Sequence, residues 1–154
     1  MSATSSNPSA SSAGVTMEPL NIDELDTFAL TSSTTDDGYW LGGWFAYGGE
    51  GADASAAIYF AIPPGKRLGR HTDVTEETQY IVSGSGQLLL DEGPRPLRAG
   101  DVVVLKKDVA HDVRSTGSED LRIVAFFSEP KAEQHWTKEV WEPGHLTVTG
   151  SPNR

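Results

Sequence analysis

The chain has 154 residues, a length typical of one ordinary domain, and it contains no cysteine. Disulfides, thiolate metal ligands and a cysteine nucleophile are therefore excluded, and any metal must be held by imidazole and carboxylate groups. Lys and Arg number 12 against 22 Asp and Glu, for a formal charge of −10. This charge disfavours nucleic acid and anionic membranes as partners and favours solubility.

The N-terminal segment is poor in large apolar side chains. Residues 1–17 are rich in Ser, Ala and Thr, and such a segment cannot bury enough surface to offset its ordering entropy, so we expect a disordered tail. Met17 is an alternative start to Met1. No secretory signal or bilayer-spanning apolar run is present, which favours a cytoplasmic protein. Residues 18–28 are expected to form a short helical turn or an edge segment packed under the main fold.

The pattern changes at Tyr39, where short apolar or β-rich runs begin. They cover residues 39–47, 55–62, 78–82, 86–91, 101–105, 111–114 and 121–127. Gly- and Pro-rich turns separate them, including DEGPRP at residues 91–96, and no helical periodicity is evident. The sequence predicts an all-β sandwich or barrel as one domain over residues 18–145, followed by a tail at 146–154.

The C-terminal stretch EPKAEQHWTKEVWEPGH, residues 129–145, is expected to supply a short helix or an arm around the outside. We interpret Trp136 and Trp141 as anchors for this arm, on the barrel or on a partner subunit. His135 and His145 lie in the same stretch and match no position expected of a metal ligand.

Two histidines and two carboxylates form the strongest functional signal. His71 and Asp73 are two residues apart, so an extended strand points both side chains to the same face. Glu77 follows on the next strand or across a turn, and His111 begins a later strand. This inventory suits an open nitrogen and oxygen site for Fe(II), Mn(II), Ni(II), Co(II) or Zn(II).

The residues around this inventory resemble the two signature motifs of the cupin superfamily. The first motif, G-x5-H-x-H-x(3,4)-E-x6-G, is matched at every spacing by Gly65, His71, Asp73, Glu77 and Gly84. Its one departure is Asp73, which stands where the family usually has a second histidine.

The second motif, G-x5-P-x-G-x2-H-x3-N, is less complete. Gly100 and His111 match it, while Lys106, Asp108 and Ser115 stand at its Pro, Gly and Asn positions. The resemblance implies a jelly-roll β-barrel, also called a double-stranded β-helix, with a short N-terminal helical or disordered extension.

The resemblance also implies that His71, Glu77 and His111 bind a divalent transition metal and that Asp73 occupies the fourth ligand position. Iron(II) is the first expectation for the metal, with Mn, Ni, Co and Zn as alternatives. Asp73 either binds the ion, directly or through a water, or makes an outer hydrogen bond that leaves two histidines and one carboxylate. A degenerate cupin without metal is the remaining alternative.

Strand parity extends the candidate site. If Glu77 points inward, Gln79 and Ile81 do too, and Val113 follows His111. We therefore treat Glu77 and Gln79 as candidate catalytic residues. The neighbouring Glu76 is expected to face solvent, and Arg70 is expected at the surface, with an anionic substrate as its alternative partner. The aromatic residues considered for either pocket walls or core packing are Trp44, Tyr59 and Phe126.

The first functional hypothesis is a metal-dependent enzyme acting on a small organic substrate, with dioxygenase chemistry as its leading form. A metal-dependent isomerase, lyase or decarboxylase is the alternative. A non-catalytic cupin that binds a small ligand is the second hypothesis, because cupins host many chemistries. Exposed apolar sheet faces often mediate self-association, so a homodimer is expected.

Overall fold

Nearly all of the regular structure in the described residues is β-strand. The structure is a computed structural model and describes residues 17–32, 34–48, 51–137 and 147–149, the last three by their backbone. The strands are β1 (Phe28–Thr31), β2 (Tyr39–Ala46), β3 (Ala56–Ile62), β4 (His71–Asp73), β5 (Glu77–Ser83), β6 (Ser85–Leu90), β7 (Gly93–Arg98), β8 (Val102–Leu105), β9 (Asp112–Ser115), β10 (Leu121–Phe127), β11 (Glu133–Trp136) and β12 (Thr147–Thr149).

These strands form one large and two small antiparallel sheets. The large sheet has the order β1-β2-β3-β10-β5-β8, and the small sheets have the orders β12-β11-β4 and β7-β6-β9. Backbone hydrogen bonds join the small sheets, from Leu68 N to Val113 O at 2.9 Å and between His71 and His111 in both directions at 3.0 and 2.9 Å. The joined sheets face the large one, which gives the predicted jelly-roll barrel.

The core lies between these two walls. Phe60, Ile81 and Ile123 enter it from the large sheet, and Leu88 and Val113 enter from the opposite wall. All five side chains are buried, and burying each contributes roughly 1.5–3 kcal/mol to folding. The predicted inward direction of Ile81 and Val113 is confirmed.

The N-terminal segment makes the short helical turn that the sequence predicts. Asn21 caps a 3-10 turn at Ile22–Glu24, and its side chain accepts a hydrogen bond from the Asp23 backbone N–H at 2.9 Å. Leu25 then packs so close to Gly43 that a Cβ there would lie 2.7 Å from Leu25 Cδ2. The predicted tail covers residues 1–17; residues 1–16 lie outside the described residues, and Met17 is fully exposed.

Two strands differ from the sequence expectation. The interpretation of DEGPRP (residues 91–96) as a turn is wrong from Gly93 onward, because β7 begins there and contains Pro94 and Pro96. The strand is at the edge of its sheet, where proline's missing N–H is tolerated. The expected helix or outer arm is also wrong for residues 133–136, which form β11 between β4 and β12.

Beyond residue 137 the structure describes one further segment, residues 147–149. Residues 147–149 form β12, which lies within the segment assigned to the C-terminal tail. Trp141 and His145 lie outside the described residues. No helix within the described ranges has both the length and the apolar character needed to cross a lipid bilayer.

Candidate metal centre

The structure brings the four predicted ligand residues together inside the barrel. β4 supplies His71 and Asp73, β5 begins with Glu77, and His111 directly precedes β9. One potential ligand atom from each residue lies within 4.8 Å of the others. Each residue is at most 3% exposed. The cluster is therefore buried between the large sheet, which supplies Glu77, and the junction of the two small sheets, which supplies His71, Asp73 and His111.

Both imidazoles are fixed with the same nitrogen directed into the cluster. His71 Nδ1 lies 2.8 Å from the Gly69 carbonyl oxygen, and His111 Nδ1 lies 2.9 Å from that of Val109. A carbonyl oxygen can only accept a hydrogen bond, so each Nδ1 carries a proton and Nε2 is the ring nitrogen directed into the cluster.

The carboxylates meet these nitrogens at short range. Asp73 Oδ2 lies 3.4 Å from His111 Nε2 and 3.7 Å from His71 Nε2, and Glu77 Oε2 lies 3.4 Å from His111 Nε2. The second Glu77 oxygen, Oε1, accepts a hydrogen bond from Gln79 Nε2 at 3.0 Å. The buried Gln79 thus fixes one Glu77 oxygen and leaves the other directed at the histidines.

Burial and mutual charge set the ionisation of the cluster. Burial, reinforced by His111, lowers the pKa of His71 to about 3. Burial, reinforced by the negative charge of Glu77, raises the pKa of Asp73 to about 8. Burial also opposes ionisation of Glu77, but its contacts with His111 outweigh this and lower its pKa.

His111 shows the opposite balance. Burial disfavours its charged form, but the adjacent Glu77 and Asp73 outweigh that cost and raise its pKa to about 9. At neutral pH, in the absence of an ion, His111 is therefore a protonated, positively charged imidazolium and Asp73 is a neutral carboxylic acid. Glu77 carries the negative charge that balances His111.

The residues fit a divalent transition ion. Both oxygens of Asp73, Oε2 of Glu77 and Nε2 of His111 are buried without a hydrogen bond of ordinary geometry. Buried polar atoms are nearly always satisfied, and an ion among these atoms would satisfy all of them at once. Imidazole and carboxylate donors together suit Fe, Mn, Co, Ni or Zn and do not select among them.

A largely aromatic cavity adjoins two of the candidate ligands. A water-sized sphere can occupy about 20 Å³ of it, which is room for about one water molecule. The residues that line it are Trp40, Trp44, Ile58, Phe60, Leu68, His71, Glu77, Phe127, Gln134 and Trp136. The candidate ligands His71 and Glu77 therefore face a mainly apolar, aromatic surface.

Only part of the predicted wall is correct. Trp44 lines the cavity, but Tyr59 and Phe126 do not. Tyr59 has its hydroxyl 2.9 Å from Arg122 Nε, and Phe126 is on the outer face of its sheet beside Phe45. Strand alternation explains both cases, because their neighbours point inward.

The other residues considered from the sequence lie outside the cluster. Glu76 is exposed, as predicted. Arg70 forms an ion pair with Asp91. The side chain of His135 is 52% exposed and lies 3.0 Å from Glu133, away from the metal ligands.

Sequence reasoning missed the contribution of β11. Gln134 pairs with Asp73 and Trp136 pairs with His71 in the register of β11 with β4. Gln134 also lies close enough to Asp73 to oppose the rise in its pKa. If the segment EQHW had been interpreted as a strand, its alternation would have placed Gln134 and Trp136 on the same face.

The incomplete second motif keeps its backbone geometry. Asp108, at the glycine position, has a φ of 62°, the left-handed conformation that normally favours glycine. Its backbone N–H donates to the Asp73 carbonyl oxygen at 2.8 Å. The turn before His111 therefore supports the strand that carries Asp73, although the glycine is absent.

Fold and site together define a jelly-roll β-barrel with a buried cluster of two histidines and two carboxylates. A family model described as "Cupin domain" matches residues 58–127, the span from β3 to β10 that contains all four residues. This segment, which carries the whole cluster, is therefore similar to the cupin domain.

The comparisons also give individual relatives. Protein SchB of Streptomyces halstedii is 38% identical over 64 residues, which is 41% of this chain and 46% of that protein. The oxalate-binding protein of Thermotoga maritima is 34% identical over 65 residues, 42% of this chain and 54% of that protein. The matches thus span about half of each curated relative.

A similar solved structure is the polyketide cyclase RemF from Streptomyces resistomycificus. It superposes with a TM-score of 0.65 at 16% identity and covers 81% of this chain and 89% of its own. At this identity the likeness concerns the fold.

Proposed function

We propose that this protein is a metal-dependent enzyme that acts on a small, largely apolar organic molecule bearing a carbonyl or enol oxygen. The observation that carries the proposal is the set of buried, unsatisfied ligand atoms beside the aromatic cavity. When bound, the divalent ion would supply Lewis-acid polarisation of the substrate oxygen.

Each side chain would have a separate role around that ion. His71 and His111 would hold it through Nε2, because their Nδ1 atoms are already hydrogen-bonded to backbone carbonyls. Glu77 would supply Oε2, which Gln79 positions by donating a hydrogen bond to Oε1. Asp73 would occupy the fourth ligand position, directly or through a water. The aromatic wall would exclude water and contact the carbon skeleton of the substrate.

The carboxyl groups are the candidates for proton exchange with the substrate. Without an ion, Asp73 holds a proton near neutral pH because of its burial and of Glu77. The Asp73 carboxyl group lies beside the cavity-lining residues His71 and Glu77, so it could exchange a proton with a substrate bound there. In this proposal Gln79 positions Glu77, and Asp73 exchanges the proton.

A dioxygenase is the second candidate. If Asp73 does not bind the ion, His71, His111 and Glu77 form the arrangement associated with non-haem Fe(II) oxygenases. Oxygen consumption separates the two candidates.

The first experiment measures metal content by mass spectrometry in the wild type, His71→Ala, His111→Ala and His135→Ala. His135 is a matched control because it is an exposed histidine away from the cluster. We expect one ion per chain in the wild type and the control, and a loss in the two cluster variants. Equal metal in all four proteins would contradict the proposal.

The second experiment uses the metal-loaded protein with 1,3-diketones and aromatic hydroxyketones. We expect exchange of the acidic C–H protons in D₂O, followed by NMR, without uptake of dissolved oxygen. Oxygen uptake in proportion to product would instead establish the dioxygenase. If none of these compounds shows proton exchange, turnover or oxygen uptake, the result would favour a ligand-binding role.

A further inference from the structure

Trp136 makes the closest aromatic contact to the cluster other than that between the two histidines. Its ring centroid lies 4.3 Å from that of His71, with an angle of 40° between the planes. The two residues are directly opposite in the register of β4 with β11. His71 is also in ring contact with His111, at 4.3 Å and 60°.

The contact bears on how His71 is held. The hydrogen bond from Nδ1 to the Gly69 carbonyl restrains rotation of the imidazole about its Cβ–Cγ bond, but a hydrogen bond tolerates a range of angles and so allows some rotation. A flat side chain against the ring limits this motion. The tilted, close geometry with Trp136 provides such a surface.

Trp136 is itself held in place. The next residue, Thr137, donates its backbone N–H to the Arg70 carbonyl at 2.9 Å, which ties the end of β11 beside His71. The indole also packs against Trp40 at 6.3 Å. Trp40 depends in turn on Gly42, where a Cβ would lie 2.5 Å from Trp40 Cζ3.

A line of contacts therefore runs from Gly42 through Trp40 and Trp136 to His71. Trp40 is further fixed by edge-to-face contacts with Phe28 and Phe60, at 5.8 and 5.9 Å. Trp136 is half-buried and lines the cavity, whereas His71, at the end of this line of contacts, is buried.

We infer that Trp136 is a positioning residue that fixes the imidazole plane of His71 and thereby the direction of its Nε2. The inference rests on the proposed function in so far as His71 is a metal ligand. It assigns to β11 a part in the metal centre beyond closing the barrel. Mutation of residues that orient metal ligands typically lowers metal affinity about 10- to 100-fold.

The test compares flat and non-flat side chains at position 136. Trp136→Phe keeps an aromatic face, and Trp136→Leu keeps apolar volume without it. Phe45→Leu is the matched control, because Phe45 loses an aromatic contact with Phe126 on the outer face of the barrel. Co²⁺ affinity is measured by calorimetry, and the thermal midpoint of each metal-free protein reports on folding.

We expect Trp136→Leu to weaken Co²⁺ binding about tenfold, while Trp136→Phe and Phe45→Leu stay close to the wild type. Equal affinity for Trp136→Leu and the wild type would overturn the inference. An equal loss in Trp136→Phe and Trp136→Leu would overturn it too, since the flat face would not be the cause. Trp136→Met and Trp136→Tyr give the same comparison if Trp136→Leu does not fold.

A second measurement needs no metal. Nitrogen-detected NMR of the histidine rings reports whether His71 keeps its proton on Nδ1. We expect a single tautomer in the wild type and Trp136→Phe, and exchange between tautomers in Trp136→Leu. If the wild type binds no Co²⁺, the proposed function fails, and the NMR comparison alone then supports or overturns the role of Trp136.

Discussion

Metal binding should release protons from the cluster, and the structure gives the number. His111 and Asp73 have pKa values raised to about 9 and about 8, so both are mainly protonated at pH 7. His71 is neutral and Glu77 is ionised, because their pKa values are lowered. An ion that binds all four residues must therefore displace about two protons at pH 7.

The sign of the pH dependence follows directly. The ion binds the deprotonated forms, so its affinity rises with pH while His111 and Asp73 are still protonated. The rise approaches about a hundredfold per pH unit near pH 7, falls to about tenfold per unit between pH 8 and 9, and levels off above pH 9. His71 contributes nothing in this range.

Calorimetry in buffers of different ionisation enthalpy measures the released protons. We expect about two per Zn²⁺ at pH 7 in the wild type and about one in Asp73→Asn, which keeps the shape of Asp73 but has no titrating proton. At pH 9.5 both proteins should release less than one. A wild-type value near zero at pH 7 would refute the reasoning, and a value near one would show that Asp73 stays outside the ion's ligand shell.

Three further predictions concern single features of the fold. Asp108→Val should lower the free energy of unfolding by about 1–2 kcal/mol in urea titrations, with Asp108→Gly near neutral, because a β-branched residue resists the positive φ at this position; equal stability of both variants would contradict this. Gln79→Leu removes the donor to Glu77 and should weaken Zn²⁺ binding about tenfold at unchanged thermal midpoint, and unaltered calorimetric affinity would refute the positioning role. Tyr80 and Val104, 44% and 57% exposed on the outer face of the large sheet, should mediate a homodimer, so replacing both with Lys should halve the mass found by light scattering; a monomeric wild type would end this hypothesis.

The barrel was predictable because its strands carry strong local signals. β5 alternates buried and more exposed residues from Glu77 to Ile81, and a glycine with φ of 84° at position 84 turns the chain into β6. Such patterns depend on neighbours in sequence, so one chain reveals them. β7 was missed because Pro94 and Pro96 resemble turn residues, and only its place at a sheet edge makes them acceptable.

The grouping of the four candidate ligands was predictable from the sequence, whereas the walls of the cavity were predictable only at Trp44. His71, Asp73 and Glu77 lie within seven residues, and their spacing matches a family motif. Trp136 contacts His71 from a strand far along the chain, and its four-residue strand EQHW is mostly polar. That contact depends on which strands pair, a tertiary property that no local pattern contains.

The pairing of His71 with His111 has a consequence for local unfolding. These two residues exchange both backbone hydrogen bonds at the junction of the small sheets, and their side chains belong to the same candidate metal site. An ion bound by both would act as a cross-link across that junction, and its loss would leave hydrogen bonds alone to hold the two sheets together. Amide hydrogen exchange at His71 and His111 should therefore accelerate on chelation far more than at Ile81 or Ile123, which lie on central strands of the large sheet.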